Sequence, residues 1–124
     1  MGSKLVIKKV RTRYRFELQN AAGEVVFNGS INSSKAAVER QINLIRGFGE
    51  DLPNHFQAVE GRIDNTWVIR GEEHSAREGE QGRVGDAIPL GFGTVTGPKE
   101  EVLASKEAIV EAFKDAEVVD ETGE

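Results

Sequence analysis

Residues 13–27 read RYRFELQNAAGEVVF and contain two strand-like segments separated by a turn. In the first segment, Tyr14, Phe16 and Leu18 share one parity and charged residues occupy the other, which is the pattern of a half-buried strand. The turn at residues 20–23 ends in glycine, which adopts the positive φ of a tight connection at low cost. The stretch therefore predicts two antiparallel strands, at residues 13–19 and 24–28.

The flanking segments extend this hairpin into a larger unit. Residues 4–10 are rich in β-branched side chains and predict another strand. Residues 35–46 carry Val38, Ile42 and Ile45 at helical spacing. Ser33 or Ser34 would cap this helix, because a serine hydroxyl accepts a hydrogen bond from a free backbone N–H. The first unit, residues 4–47, is therefore predicted as β-β-β-α.

The second half begins in the same way, with predicted strands at residues 55–60 and 66–70. An offset of 51 maps apolar positions of the first unit onto apolar positions here: Leu5 onto Phe56, Ile7 onto Ala58, Phe16 onto Trp67 and Leu18 onto Ile69. This correspondence predicts a second β-β-β-α unit over residues 55–120.

The end of the second unit has two interpretations. Residues 102–104 resemble a third strand, followed by a helix at 106–115 that Ser105 would cap. The alternative is one helix over residues 99–115, since Pro98 is tolerated at the start of a helix. The strand and capped helix are preferred because they repeat the first unit.

Residues 71–97 are interpreted as a glycine-rich insertion in the second unit. They hold seven of the 14 glycines. A loop of this length in a small domain is usually functional or disordered, and we expect a mobile loop with a short hairpin strand at 92–96. The segment GFGTVTG at 91–97 lacks the Gly-Lys-Ser/Thr ending of a phosphate-binding loop. Phe92 and Thr94 nevertheless remain candidate binding residues.

Charge is divided unevenly along the chain. Residues 1–46 hold nine basic and three acidic residues (net +6), whereas the rest hold seven and 18 (net −11), which together give −5. The basic cluster suits an anionic partner, but mutual attraction between the two halves, within a monomer or across a dimer, is preferred. The candidate contact residues of the basic hairpin are Lys8, Lys9, Arg11, Arg13 and Arg15.

Nucleic-acid binding is the alternative function. Arg11, Arg13 and Arg15 share parity and would form one row able to contact phosphates. Tyr14 and Phe16 have the opposite parity, so the stacking platform of single-strand binders is missing from that basic face. A pI of about 5.2 also argues against strong general affinity. We therefore expect Arg13 and Arg15 to pair with acids of the second unit.

Several chemistries are disfavoured by residue types. The 124 residues include no cysteine, which excludes thiol catalysis and Cys-ligated metal sites. Oxygen and nitrogen donors at Glu72, Glu73, His74 and Asp86 lack a spacing that converges on one ion. No Gly-x-Ser-x-Gly nucleophile motif is present. We expect no enzymatic activity, no bound metal and no cofactor.

The cellular location follows from the absence of targeting features in the sequence. No apolar run approaches the roughly 20 residues of a membrane span. Residues 1–4 lack the apolar core of a signal peptide. We expect a cytoplasmic protein without a membrane partner.

The first unit resembles the YegP-type family. The resemblance rests on YRFEL at residues 14–18, the turn at 20–23, EVV at 24–26 and SSK at 33–35 before an Ala-rich helix. The second unit matches at Phe56, Trp67, residues 105–106 and residues 115–120. YegP-type proteins are small bacterial and archaeal domains of tandem β-β-β-α repeats without an established activity. The resemblance therefore implies a fold and supplies no catalytic residues.

These observations predict one compact α+β domain over residues 1–124, with two β-β-β-α units whose helices pack on antiparallel sheet. The sheets of the two units would lie side by side or face to face. The predicted function is a non-catalytic interaction or small-ligand-binding module. An open sheet edge at the first strand predicts a homodimer or a protein partner through strand pairing.

Overall fold

The computed structural model describes residues 2–61, 63, 65–73 and 89–124. In these residues the elements are β1 (Lys4–Val10), β2 (Arg13–Gln19), β3 (Val25–Gly29), α1 (Lys35–Gly47), a 3₁₀ helix (Gly49–His55), β4 (Phe56–Glu60), β5 (Trp67–Glu72), β6 (Pro89–Gly97), α2 (Lys99–Asp115) and β7 (Glu117–Asp120). The predicted α+β class is confirmed. Among the described helices, none combines the length and the apolar character needed to cross a membrane.

The seven strands form one mixed sheet in the order β4-β5-β6-β3-β2-β1-β7. Neighbouring strands are antiparallel except β1 and β7, which are parallel. β3 pairs with β6, so the strands of the two halves lie side by side in one continuous sheet, and the face-to-face alternative is wrong. The prediction of an open edge at the first strand is also wrong, because β7 pairs with β1. The edges are β4 and β7, and homodimerisation stays a prediction.

The third strand of the second half is β6. The prediction of a strand at residues 102–104 is therefore wrong. Those residues lie in α2, the single helix that begins after Pro98. The buried side chains of α2 recur at helical spacing through this segment, at Val102, Ile109, Val110, Ala112 and Phe113. The Ser105 hydroxyl donates to the Val102 carbonyl inside the helix and does not cap a helix start.

The two α-helices cover the same side of the sheet, which we call the inner face. Apolar strand residues there share one core with Val38 and Ile42 of α1 and with Phe113 of α2. Phenylalanine rings form its centre, with Phe27 and Phe56 each 5.5 Å from the Phe113 ring centroid. The opposite side, the outer face, is not covered by a helix of the described residues.

Two glycines allow β6 to lie inside the sheet. A Cβ on Gly93 would lie 3.1 Å from Ile109 Cδ1, so glycine permits the close approach of α2. Gly91 has a φ of +146° beside the backbone of Asn28. Residues 91–97 are therefore paired sheet rather than part of a mobile loop, and the strand expected at 92–96 belongs to β6. Residues 74–88 of the predicted insertion lie outside the described residues.

Ser34, rather than Ser33, caps α1, because the Ala37 N–H donates to Ser34 Oγ at 3.1 Å. We predict that Ser34→Ala lowers the free energy of unfolding by about 1 kcal/mol, measured by urea denaturation. Ser33 is exposed, and Ser33→Ala is the matched control, with an expected change within about 0.5 kcal/mol. Equal losses in the two variants would contradict this assignment of the cap.

Candidate binding face of the sheet

The outer face carries a row of side chains that crosses the sheet from β4 to β1. Directly paired residues on neighbouring strands point to the same side. The pairing defines the series Gln57, Arg70, Phe92, Asn28, Glu17 and Val6. Alternation along the strands adds further residues to this side. We give the name outer-face cluster to seven charged, polar and aromatic residues of this surface: Lys8, Arg13, Arg15, Glu17, Asn28, Arg70 and Phe92.

Glu17 holds two cations of the outer-face cluster. Only 8% of this residue is exposed. Lys8 Nζ lies 2.9 Å from Glu17 Oε1, and Arg15 Nη2 lies 3.2 Å from Glu17 Oε2. The two cations offset the cost of burying a carboxylate. The side chains of Lys8 and Arg15 stay 38% and 33% exposed, so the group of three presents a net positive charge to solvent.

Phe92 places an exposed aromatic ring within the same cluster. It lies opposite Asn28 on one side and Arg70 on the other, and 44% of the residue is exposed. Arg70 Nε lies 3.3 Å from Glu72 Oε1 along β5. An exposed aromatic ring beside cationic side chains is suited to planar and anionic ligands.

The prediction that the basic face lacks a stacking platform rests on Tyr14 and Phe16, and the structure adds one exposed aromatic ring, Phe92, to the same side of the sheet. Phe16 does point inward and is fully buried, as the parity of β2 predicts. Phe92 comes instead from β6, of which residues 92–96 are predicted as a short hairpin strand within the insertion. Its position on the outer face depends on the pairing of β6 with β3 and β5, which no local pattern in the sequence specifies.

Four of the seven predicted contact residues belong to the outer-face cluster: Lys8, Arg13, Arg15 and Phe92. Thr94 uses its hydroxyl within the sheet, donating to the Val25 carbonyl at 2.9 Å. Arg11 lies in the turn between β1 and β2, with a φ of +60°. The structure therefore brings part of the basic hairpin together with Phe92 and leaves Arg11 apart from this group, while the hydroxyl of Thr94 is used within the sheet.

Lys9, the remaining predicted residue, points away from the outer face. Its ammonium lies 3.5 Å from Glu124 Oε2 and 5.6 Å from the centroid of the Tyr14 ring. The Glu124 carboxylate raises the pKa of Lys9 above its usual range. Lys9 therefore helps to hold the end of the described chain against β2.

Some ion pairs join the basic first half to the acidic second half. Besides Lys9 with Glu124, Lys35 pairs with Asp120, and the Lys35 hydrogen bond is the main cause that lowers the pKa of Asp120 to about 2. Arg15 instead pairs with Glu17, an acid of the first half. Arg13 has no ion pair within the part of the chain that the structure describes.

A groove of about 800 Å³ lies where the ends of α1 and α2 meet the 3₁₀ helix. Apolar side chains such as Leu52 and Phe113 line it, together with Arg46, Glu50 and Lys114. The Arg46 guanidinium donates to the Ala116 carbonyl at its edge. No local sequence pattern predicts this groove, because its walls come from residues 45–53 and residues 113–116, which are distant in sequence.

The His55 side chain has a structural role. Its ring is stacked on Phe48, with 3.5 Å between the centroids. Nδ1 lies 3.0 Å from the Glu72 carbonyl oxygen and Nε2 lies 3.1 Å from Asp51 Oδ2, so both ring nitrogens are occupied. The described residues contain no cluster of three or more His, Cys, Asp or Glu placed to hold a metal ion. His74 and Asp86, two of the donors considered above, lie outside the described residues.

The architecture defines an α+β class of protein with one seven-stranded mixed sheet and two helices on one face. Two solved structures share this fold. The solution structure of yegP from E. coli, a protein of unknown function, has a TM-score of 0.75 and 13% identity, and the match covers 100% of this chain and 97% of that one. UPF0339 protein SO3888 from Shewanella oneidensis has a TM-score of 0.76 and 13% identity, with 100% and 95% covered.

These similarities confirm the resemblance to YegP-type proteins at the level of the fold. An identity of 13% does not carry function from one chain to the other. No protein-family model and no curated protein sequence matches the chain. The function therefore has to be argued from the outer-face cluster itself.

Proposed function

We propose that this chain is a non-catalytic, cytoplasmic binding module whose outer face takes an anionic ligand or partner. The observation that supports the proposal most directly is the outer-face cluster, in which Lys8, Arg13 and Arg15 share one sheet face with the exposed ring of Phe92. A rigid sheet presents these side chains with little loss of backbone freedom on binding.

The charges of this surface favour an anion although the whole chain carries −5. Among the described residues around the outer-face cluster, four cations face two carboxylates, which gives a local charge of +2: Lys8, Arg13, Arg15 and Arg70 against Glu17 and Glu72. Both carboxylates lie deeper than most of the cations, with side chains 10% and 14% exposed. A ligand within about 10 Å responds mainly to this local charge, because salt screens more distant charges.

A double variant tests this proposal. We predict that Arg13→Ala combined with Arg15→Ala weakens binding of inorganic polyphosphate roughly three- to tenfold at about 50 mM salt, since each exposed ion pair contributes up to about 1 kcal/mol. Isothermal titration measures the change. Glu17 keeps Lys8 as a partner in this variant, so the fold is expected to survive.

Arg40→Ala is the matched control, because Arg40 is an exposed arginine of α1, on the inner side of the sheet. Its affinity for polyphosphate is expected to stay within about twofold of the wild type. If polyphosphate does not bind at low salt, or if Arg40→Ala weakens binding as much as the double variant, the outer face is not the binding surface.

We also infer that the two halves derive from one β-β-β-α unit. The inference is supported by the strand order β4-β5-β6-β3-β2-β1, in which each strand has a counterpart across an axis between β3 and β6. Each set of three strands is followed in sequence by a helix on the inner face. Under this inference, β7 is an addition that pairs with the first strand of the first unit.

A further inference from the structure

We propose that the anionic partner of the outer face is single-stranded nucleic acid, with a base stacked on Phe92 and phosphates held by Arg15, Arg13 and Lys8. This inference rests on the proposed function and specifies the partner. The basic hairpin and the segment around Phe92 are distant in sequence. The pairing of β2 with β3 and of β3 with β6 brings them onto one face of the sheet.

The spacing suits a strand that crosses the sheet. Phe92 and Glu17 are both paired with Asn28, so their backbones lie two strand spacings apart, about 10 Å. Lys8 of β1 and Arg15 of β2 are paired with each other on the same face, and both form ion pairs with Glu17. An aromatic ring at one end and cations at the other match the alternation of bases and phosphates in a single strand.

An aromatic ring favours nucleic acid over a simple polyanion. Every nucleobase has a π-face that stacks on phenylalanine, whereas inorganic polyphosphate gains nothing from an exposed phenyl ring. Leaving 44% of Phe92 in water is unfavourable in the free protein, and a stacked base removes that surface from water.

Two polar atoms of the cluster add a second, independent observation. Among the described residues, Arg15 Nε and Asn28 Oδ1 are buried without a hydrogen-bond partner, the first a donor and the second an acceptor. Polyphosphate offers acceptors alone, whereas nucleic acid offers phosphate acceptors and base N–H donors. Arg15 gives up one hydrogen bond, to Glu17, when it turns toward a phosphate, and Lys8 still neutralises that carboxylate.

The same features favour single strands over duplexes. In a duplex the bases are stacked on one another and present only their edges, so Phe92 would find no base face. A single strand exposes its bases and bends easily to follow a sheet.

Fluorescence anisotropy with a labelled oligo-dT of about 12 nucleotides tests the inference, with a duplex of the same length and inorganic polyphosphate as competing probes. We expect Phe92→Leu to weaken oligo-dT binding by about fivefold or more and to leave polyphosphate binding within about twofold. Phe92→Tyr keeps a stacking ring and is expected to bind like the wild type. Leu103→Ala removes an equally exposed (44%) apolar side chain from α2 and is the matched control.

The outcomes separate this inference from the proposed function. If Phe92→Leu binds oligo-dT as the wild type does, or if the duplex binds as tightly as the single strand, the nucleic-acid inference is wrong. In that case loss of polyphosphate binding in the Arg13→Ala and Arg15→Ala double variant still supports an anion-binding face. If neither oligo-dT nor polyphosphate binds at about 50 mM salt, both proposals fail.

Discussion

Replacing Gly91 with alanine is expected to lower the melting temperature by about 10 °C or more. A Cβ at this position would lie 2.1 Å from the Asn28 carbonyl oxygen and 2.7 Å from Phe27 Cε1. The φ of +146° adds backbone strain for any residue with a side chain. Relief would require β6 to move away from β3, which would break the pairing that joins the two halves. Thermal unfolding followed by circular dichroism measures the shift.

Gly23→Ala is the control that isolates the close approach from the backbone strain. Gly23 also has a positive φ, +85°, but nothing lies within 4 Å of an added Cβ. We expect a loss of about 1 kcal/mol there, from the strain alone. Similar melting temperatures for the two variants would mean that β6 does not lie against β3 as described.

The second large effect is expected from Phe27→Ala, which should lower the free energy of unfolding by about 3–5 kcal/mol. Phe27 is fully buried, and its ring contacts those of Phe16, Phe56 and Phe113 at centroid distances of 5.5–6.1 Å. Its loss leaves a cavity where β2, β4 and α2 meet, and packed neighbours fill such a cavity only in part. Urea denaturation measures the change.

Phe92→Ala is the matched control, because Phe92 is the same residue type on the adjacent strand but faces outward. We expect a loss within about 1 kcal/mol, since much of this side chain already lies in water. A loss as large as that of Phe27→Ala would place Phe92 in the core and would contradict the assignment of the outer face.

Local periodicity predicts the elements whose pattern is strong. The strands expected at residues 4–10 and 13–19 are β1 and β2, and the helix expected at 35–46 is α1 with one more residue. In each case, alternation or helical spacing continues through most of the element, so short-range chemistry alone determines it. The inward parity of Phe16 and Leu18 was also predicted and is confirmed by their burial.

Packing between segments distant in sequence determines the elements that local patterns predict only in part or not at all. The sequence predicts residues 92–96 of β6 but not its full length, because Pro89 and Gly91 interrupt the pattern of a strand. Gly91 and Gly93 lie where Phe27 and Ile109 come close. The strand at residues 102–104 is predicted because it would repeat the first unit, whereas Val102 belongs to a helix whose other buried residues lie seven and eleven positions further along. β7 has four residues and depends on β1 for its pairing.

Part of the candidate site could likewise be predicted from local patterns, and part depends on how the strands pair. Strand parity correctly placed Arg13 and Arg15 on one face, because alternation is a local property of β2. The association of those arginines with Phe92 depends on the order of β2, β3 and β6 in the sheet. The buried Glu17 that holds Lys8 and Arg15 was likewise hidden, since a glutamate in a basic segment is normally exposed.

A proton–nitrogen correlation spectrum, recorded while oligo-dT is added to the uniformly labelled chain, tests the outer face most directly. Our account predicts shifts of the amide signals clustered at Lys8, Arg13, Arg15, Asn28 and Phe92, on strands that are adjacent in the sheet. Shifts confined to the groove around Arg46 and Lys114, or a spectrum that does not change, would contradict it.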